Sequence, residues 1–304
     1  MLIAGDLFHR QPLLRELREV DYLFSTLTRT QVVLVAGNHD YIGENSRYRT
    51  FSWSRNVRMI RSREISFVEL EQLDTAVYGM SYWEREIAEP LYERVQIRDG
   101  CRFHLLLAHG GDARHLPFRR AEVDAIGFDY VALGHIHRPQ ELIPGRMAYA
   151  GALEPVDKND TGKHGMIEGE LDERGCRISF VPFARREYIH LEIPVRENMT
   201  GYALRSEIRR SIEEQGTDNL YRVTLTGERD PETQFDLEQM DSYGNLIEIA
   251  DYTAPALDFP GLLARNRDNL LGRYIAEFAQ ARPGSVEYQA LCEGVLALLK
   301  TKRG

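Results

Sequence analysis

Val32-Val-Leu-Val-Ala-Gly-Asn-His-Asp40 is an apolar run of β-forming residues that stops at a glycine and then presents an amide, an imidazole and a carboxylate in consecutive positions. A continuous Val/Leu run of this length reads as a strand buried on both faces, as in a mainly parallel sheet. Three other stretches share the design. Met1–Asp6 ends Leu-Ile-Ala-Gly-Asp, Phe103–Gly111 contains Leu-Leu-Leu-Ala-His-Gly-Gly, and Tyr130–His137 contains Val-Ala-Leu-Gly-His-Ile-His. Each has a short apolar strand, a small residue and then groups able to bind a metal. Ligands of open α/β sheets bind just beyond the carboxyl ends of the strands, so the four tips are expected to converge on one crevice.

Bulk properties set the limits within which that crevice is read. The chain of 304 residues has room for about two domains. Hydrophobic content of 43% and charged content of 28% suit a globular protein with a sizeable core. The net charge of −9 means that any nucleic-acid contact must rest on a local basic patch or on metal ions. Cys101, Cys176 and Cys292 lie far apart without a C-x-x-C spacing, which argues against a disulfide framework or zinc knuckle and fits a reducing compartment. Asp6 and His9 stand where a signal peptide needs an apolar core, and no apolar run reaches membrane-spanning length. The expectation is a soluble cytoplasmic protein with no low-complexity segment or internal repeat.

Outward from the opening stretch, Gln11–Thr28 carries Leu13, Leu14, Leu17, Val20, Leu23, Phe24 and Leu27 at helical spacing. Met1–Ala4, this helix and the Val32 run make a βαβ unit with the expected right-handed crossover. Tyr41–Arg63 reads as irregular, aromatic and arginine-rich; Glu64–Val77 reads as paired strands and Gly79–Tyr82 as the end of another. A helix is expected over Glu84–Val95 and a short one near Ala121–Ala125, with further strands at Met147–Gly151, Gly165–Glu170 and Cys176–Phe183. The composition shifts near Arg185. Residues 185–257 read as a small α+β unit (strand Tyr188–Val195, helix Gly201–Gln215, strands Leu220–Thr226 and Leu246–Ala250). Residues 258–304 read as two helices, Leu262–Gln280 and Ser285–Lys300, whose apolar stripes either pack on that unit or dock onto a partner helix.

The chemistry at the tips is mixed. Asp6 is a hard oxygen donor able to bridge two cations, Asn38 offers a carbonyl oxygen, and His109, His135 and His137 offer imidazole nitrogens. Residues two apart in an extended segment point the same way, so His135 and His137 are expected to aim at one crevice. Carboxylate, amide and imidazole together suit manganese, iron or zinc better than calcium. Two such ions about 3.5–4 Å apart form a clamp for in-line displacement at a phosphoester. His39 is placed to protonate a leaving oxygen, and Asp40 to hold its ring in the right tautomer. Each piece also has an ordinary reading: Gly-Asp after a strand is common, Ala-His-Gly-Gly can be a strand-end turn, and i, i+2 histidines occur by chance. Gly-Asn-His-Asp is more specific than these, and the four in this order point to a metal site. His104, His164 and His190 read as ordinary structural residues. His9 and His115 are candidates either to support the metal ligands from behind or to lie on the substrate side, and Arg114, Arg119 and Arg120 form either a solvated loop or a DNA patch.

Gly-Asp-Leu-Phe-His, Gly-Asn-His-Asp, Ala-His-Gly-Gly and Gly-His-Ile-His resemble motifs two to five of the calcineurin-like metallophosphoesterases. The Gly-Asp-Leu-Phe form, the Tyr149-Ala-Gly-Ala-Leu-Glu-Pro segment and the trailing α+β unit are most similar to the SbcD-like DNA repair exonucleases of that superfamily. The resemblance implies an α/β metallophosphoesterase sandwich of sheets flanked by helices over residues 1–184, a capping subdomain over 185–257 that steers DNA, and a partner-binding helical segment over 258–304. It further implies a two-manganese nuclease working with an SbcC-like coiled-coil ATPase, and a possible homodimer. On that pattern Asp6 bridges the metals, Asn38, His109 and His135 complete one site, His137 serves the other, and His39 is the general acid.

One departure bears on the second ion. The family's first motif, Asp-x-His, should precede Gly5-Asp6, and no Asp-x-His occurs in the chain. The expectation is an amino-terminally shortened chain whose full form is an active nuclease. The alternatives are a phosphoesterase on small molecules or phosphoproteins, and a non-catalytic DNA- or partner-binding scaffold that has shed one metal.

Overall fold

The computed structural model describes residues 1–98 and 100–301, and the end of the carboxy-terminal segment, 302–304, lies outside the described residues. The chain divides into two compact units, Met1–Arg185 and Arg186–Gly304.

The first unit is a mixed α/β sandwich. Strand β1 (Leu2–Ala4) leads through helix α1 (Leu14–Ser25) to β2 (Val32–Val35), and β3 (Val57–Met59) completes a parallel sheet of order β1-β2-β3. The second sheet uses β4 (Ser66–Leu70), β5 (Thr75–Gly79), β6 (Phe103–His109), then, after helix α2 (Arg120–Ala125), β7 (Tyr130–Gly134), β8 (Gln140–Ile143) and β9 (Met147–Tyr149). Its order is β4-β5-β6-β7-β9-β8, a parallel centre with antiparallel edges. A hairpin of β10 (Gly165–Asp172) and β11 (Gly175–Pro182) follows.

The two sheets face each other through Val33 and Val35 on one side and Val77 and Leu107 on the other, all fully buried. This explains why the β2 run is apolar throughout: its other face carries Val32 and Leu34, packed with Val57. Each such side chain contributes about 1.5–3 kcal/mol on burial. The far face of the second sheet packs Tyr78, Leu106, Ala108 and Val131 with Tyr92, Leu116 and Val123, the last from α2. On the first sheet's side, Leu17 of α1 is fully buried in a cluster with Ala36, Ile42 and Tyr48.

Several elements differ from the sequence reading. The stretch 41–63 is not wholly irregular: it contains β3, hidden because it is a three-residue edge strand whose middle residue is the exposed Arg58. The helix expected over Glu84–Val95 does not form; only a 3-10 turn, Leu91–Arg94, follows Pro90. Proline removes a helical hydrogen bond and drives the preceding residue out of the α region. Strand β8 has no counterpart in the sequence reading.

In the second unit β12 (Tyr188–Val195), helix α3 (Gly201–Gln215), β13 (Leu220–Arg229), β14 (Leu246–Asp251) and β15 (Ala254–Pro255) build a parallel sheet with β13 at its centre. Thr200 caps α3 by accepting from Ala203 N–H at 3.2 Å. Leu204, Ile208 and Ile212 recur at helical spacing and are fully buried against Leu191, Ile193, Val223 and Leu225 of the strands. The single helix expected over Leu262–Gln280 is broken into α4 (Phe259–Arg265) and α5 (Leu270–Glu277), because Asn269 caps a new start by accepting from Gly272 N–H at 3.2 Å. Helix α6 (Val286–Thr301) follows, and its Leu291 and Val295 bury against Leu271 and Ile275 of α5. Among the described residues no helix is long and apolar enough to cross a membrane.

Candidate metal centre

The residues singled out at the tips sit at or just beyond the carboxyl ends of parallel strands. β1 hands over to Gly5 and Asp6, β2 to Ala36–Asp40, β6 ends on His109 itself, and β7 ends at Gly134 before His135. Asp6 (φ +50°) and His135 (φ +93°) hold left-handed backbone conformations, which are uncommon outside glycine and cluster at functional sites. A side chain at Gly5 would run into the His109 ring, and one at Gly134 into the Ala4 carbonyl. Glycine at these positions therefore lets β1 and the His109–His135 pair approach one another.

His109 is fully buried. Its Nε2 lies 2.8 Å from Asn38 Oδ1 and 3.3 Å from Asp6 Oδ2, and its Nδ1 lies 2.7 Å from the Ala4 carbonyl oxygen. A carbonyl only accepts, so the Nδ1 proton is committed to Ala4 and the Nε2 lone pair is left facing two oxygens. His135 repeats the arrangement: Nε2 is 2.7 Å from Asp112 Oδ2, and Nδ1 faces Asn38 Oδ1 at 3.1 Å. Four acceptor groups thus point at one small space with no proton to share among them. Ligand atoms of Asp6, His109 and His135 all lie within 4.8 Å of one another. That donor set fits a divalent cation, and the outward hydrogen bonds to Ala4 and Asp112 are the kind that fix the tautomer of a metal-binding histidine.

Charges around the cluster are tuned accordingly. Burial pushes the Asp6 carboxyl up, yet Asp6 stays below its ordinary value, with the hydrogen bond from the His39 N–H among the interactions that hold it there. Burial draws His135 below the usual imidazole value despite its bond to Asp112. Burial works against ionised Asp112 as well, yet hydrogen bonds from His135, His115 and the Arg114 N–H hold it well below the usual carboxylate range.

The remaining expected residues are placed differently. His39 donates its backbone N–H to Asp6 Oδ1 at 2.9 Å, and its ring stacks on His9 with centroids 4.4 Å apart. Burial lowers its pKa from 6.5. Asp40 does not hold the His39 ring. Its Oδ1 accepts from Gly37 N–H at 2.8 Å, and its Oδ2 from Tyr48 O–H at 2.8 Å and Phe8 N–H at 3.3 Å. It is a fully buried strut beneath the Asn38 loop, pushed up to about 6 by burial and by the charge of Asp6. The same loop is stitched to the segment that follows β5 by Ala36 N–H to Ser81 Oγ, Tyr82 N–H to Ala36 O and Ile42 N–H to Tyr82 O, at 2.9, 3.1 and 2.7 Å.

His137 does not join Asp6. Its Nδ1 lies 2.9 Å from Asp160 Oδ2, and it is absent from the Asp6–His109–His135 group. The i, i+2 rule needs extended backbone, and the left-handed turn at His135 breaks it. A second close group of ligand atoms is formed by Asp112, His115 and His135. His115 Nδ1 is 2.9 Å from both oxygens of Asp112, and its ring is 4.5 Å from that of His135. Arg114 pairs with Glu86, Arg119 with Glu93 at 2.8 Å and Glu122 at 3.2 Å, and Arg120 donates to the Leu142 carbonyl at 3.0 Å. Asp112, Asp160 and Tyr48 were not singled out in the sequence. For Asp112 the available signal was its i, i+3 spacing to His115.

Comparison with known proteins agrees with this chemistry. Residues 1–139 match the calcineurin-like phosphoesterase family. The chain is 30% identical over 181 residues to the uncharacterized metallophosphoesterase YhaO of Bacillus subtilis, which covers 54% of this chain and 43% of that protein. It is 25% identical over 174 residues to the DNA double-strand break repair protein Mre11 of Methanocaldococcus jannaschii, covering 53% of this chain and 46% of the relative. The match thus spans less than half the length of either relative.

Proposed function

Because residues 1–139 form a calcineurin-like metallophosphoesterase domain, we propose that the tips of β1, β2, β6 and β7 hold a divalent cation, manganese, and hydrolyse phosphodiester bonds of DNA. The observation that supports this most is the set of facing lone pairs on Asp6, Asn38, His109 and His135. When bound, the cation supplies Lewis-acid polarisation of phosphoryl oxygens. The chain's own residues do the rest. Ala4 and Asp112 orient the two imidazoles, and the Asp40–Tyr48 strut holds the loop that carries Asn38 and His39. His39 gives a proton to the leaving oxygen, and the burial that lowers its pKa makes its protonated ring a readier donor. Similarity to Mre11, a repair protein, favours DNA over other phosphoesters. In this reading residues 185–257 steer the DNA, and the helices of 258–304 bind an SbcC-like ATPase.

The test is manganese-dependent release of nucleotides from linear duplex DNA beside hydrolysis of bis(p-nitrophenyl) phosphate. Cleavage of both is expected. His39→Ala should abolish turnover and leave manganese affinity, read by calorimetry, unchanged; loss of the metal instead would show that His39 is a ligand. Hydrolysis of the small ester alone would support the second reading, a phosphoesterase on small molecules or phosphoproteins, which similarity to a protein described only as a metallophosphoesterase also accommodates.

A further inference from the structure

Positive charge in the first unit is distributed unevenly. Residues 45–63 hold six arginines and no aspartate or glutamate, in a chain of net charge −9. Outside this run, Arg10, Arg102, Arg114, Arg119, Arg146 and Arg177 each meet a carboxylate. Among the described residues, Arg47, Arg49, Arg61, Arg63 and the neighbouring Arg85 form no ion pair, although Glu44, Glu64 and Glu84 flank them in sequence. Exposed ion pairs are worth little; it is the concentration of arginines with no carboxylate among them that makes this run available to another anion.

The run is organised around Trp83. The guanidinium of Arg63 lies 4.7 Å and that of Arg49 5.3 Å from the Trp83 ring centroid, while Trp83 Nε1–H donates to the Arg61 carbonyl at 2.7 Å. Stacking on an indole fixes the guanidinium planes and leaves their edges free for phosphate oxygens. The patch is anchored beside the reacting groups. Arg49 follows Tyr48, whose hydroxyl holds Asp40 beneath the Asn38 loop, and the charge of Arg85 is felt at His39.

We propose that Arg49, Arg63 and Arg85, arrayed on and beside Trp83, form the surface that grips the phosphate backbone of DNA and leads it to the site. This rests on the DNA reading given above. It places the substrate contact on the arginine-rich segment after β2 and not on Arg114, Arg119 and Arg120, whose guanidinium groups already have acceptors. No base-edge reader is part of the patch, so the grip is independent of sequence and sensitive to salt.

The experiment is fluorescence anisotropy with a labelled linear duplex in EDTA, where binding is read without cleavage. The triple variant Arg49→Gln/Arg63→Gln/Arg85→Gln is compared with the charge-matched triple Arg114→Gln/Arg119→Gln/Arg120→Gln, both checked for folding by circular dichroism. At about 150 mM salt the first should bind at least tenfold more weakly, and its slope of log K against log salt should become shallower by about 3, near 0.9 for each phosphate no longer neutralised. The second should stay within about twofold of the parent, since its arginines are already engaged. Equal weakening by both triples would reduce the effect to net charge and overturn the proposal, as would unchanged binding by the first. A parent protein that hydrolyses bis(p-nitrophenyl) phosphate but does not retain the duplex would overturn it too, leaving the hydrolase reading intact. Retention of the duplex in the pattern expected, with no hydrolysis of either substrate, would remove the hydrolase reading and leave this surface standing.

Discussion

Replacing Tyr48 by Phe should destabilise the first unit in a pH-dependent way. The Tyr48 ring is fully buried, so the substitution leaves its packing intact and removes one hydroxyl, the donor 2.8 Å from Asp40 Oδ2. A buried hydrogen bond to a charged group contributes about 1.5–3 kcal/mol. After the change Asp40 keeps the Gly37 N–H at 2.8 Å and the longer Phe8 N–H at 3.3 Å. Its carboxyl titrates at about 6 in the fold against 3.8 in an open chain, a linkage worth about 3 kcal/mol. The sign follows from the raised value. This stability is fully present below pH 3.8 and is lost as pH rises through about 6. Removing a donor to the ionised form raises the folded value further, so the variant loses stability over a wider range. The difference from the parent should be about 1 kcal/mol at pH 5, where the acid is mostly neutral, and about 2–3 kcal/mol at pH 8. Guanidinium unfolding in EDTA, followed by tryptophan fluorescence, reads this unit selectively, because the chain's two tryptophans, Trp53 and Trp83, both lie within it. A difference that is equal at the two pH values, or larger at pH 5, would refute the assignment of Asp40 as a buried ionisable strut.

Further outcomes are expected. Asp112→Ala removes the carboxylate that fixes the His135 tautomer and should weaken manganese binding about 10–100-fold by titration calorimetry; unchanged affinity would mean that His135 needs no such partner. Gly134→Ala sets a methyl against the Ala4 carbonyl and should cost about 1–3 kcal/mol of stability, together with manganese affinity; a variant as stable and as tightly binding as the parent would contradict the close approach. Ile208→Ala empties a fully buried position under α3 and should destabilise the second unit by about 2–5 kcal/mol, measured as faster amide exchange along β12 and β13.

The elements that sequence made legible are those whose cause is local. The four apolar runs ending in a small residue gave β1, β2, β6 and β7; β2 is the plainest, because a strand buried on both faces must be apolar at every position. Leu204, Ile208 and Ile212 marked α3 because a helix with one buried face repeats at that spacing. What escaped depends on partners distant in sequence. β3 exists by pairing with β2, and nothing in Val-Arg-Met announces it. Asp40 looked like a partner of the adjacent His39, yet its bonds go to Phe8 across 32 positions and to Tyr48 across 8. The contact of His137 with Asp160 was hidden for a different reason: the backbone leaves the extended region at His135, and no side-chain pattern reveals a positive φ at a histidine.

The loop bearing Asn38 and His39 is sewn on one side to Ser81 and Tyr82 and braced from below by Asp40. Such a segment is held from two sides at once. The turn beyond β6 is different: Asp112 to Arg114 lie exposed to solvent, and the same Asp112 carboxylate accepts from His135. The orientation of one ligand thus depends on a surface turn, and whatever displaces that turn turns the His135 ring with it.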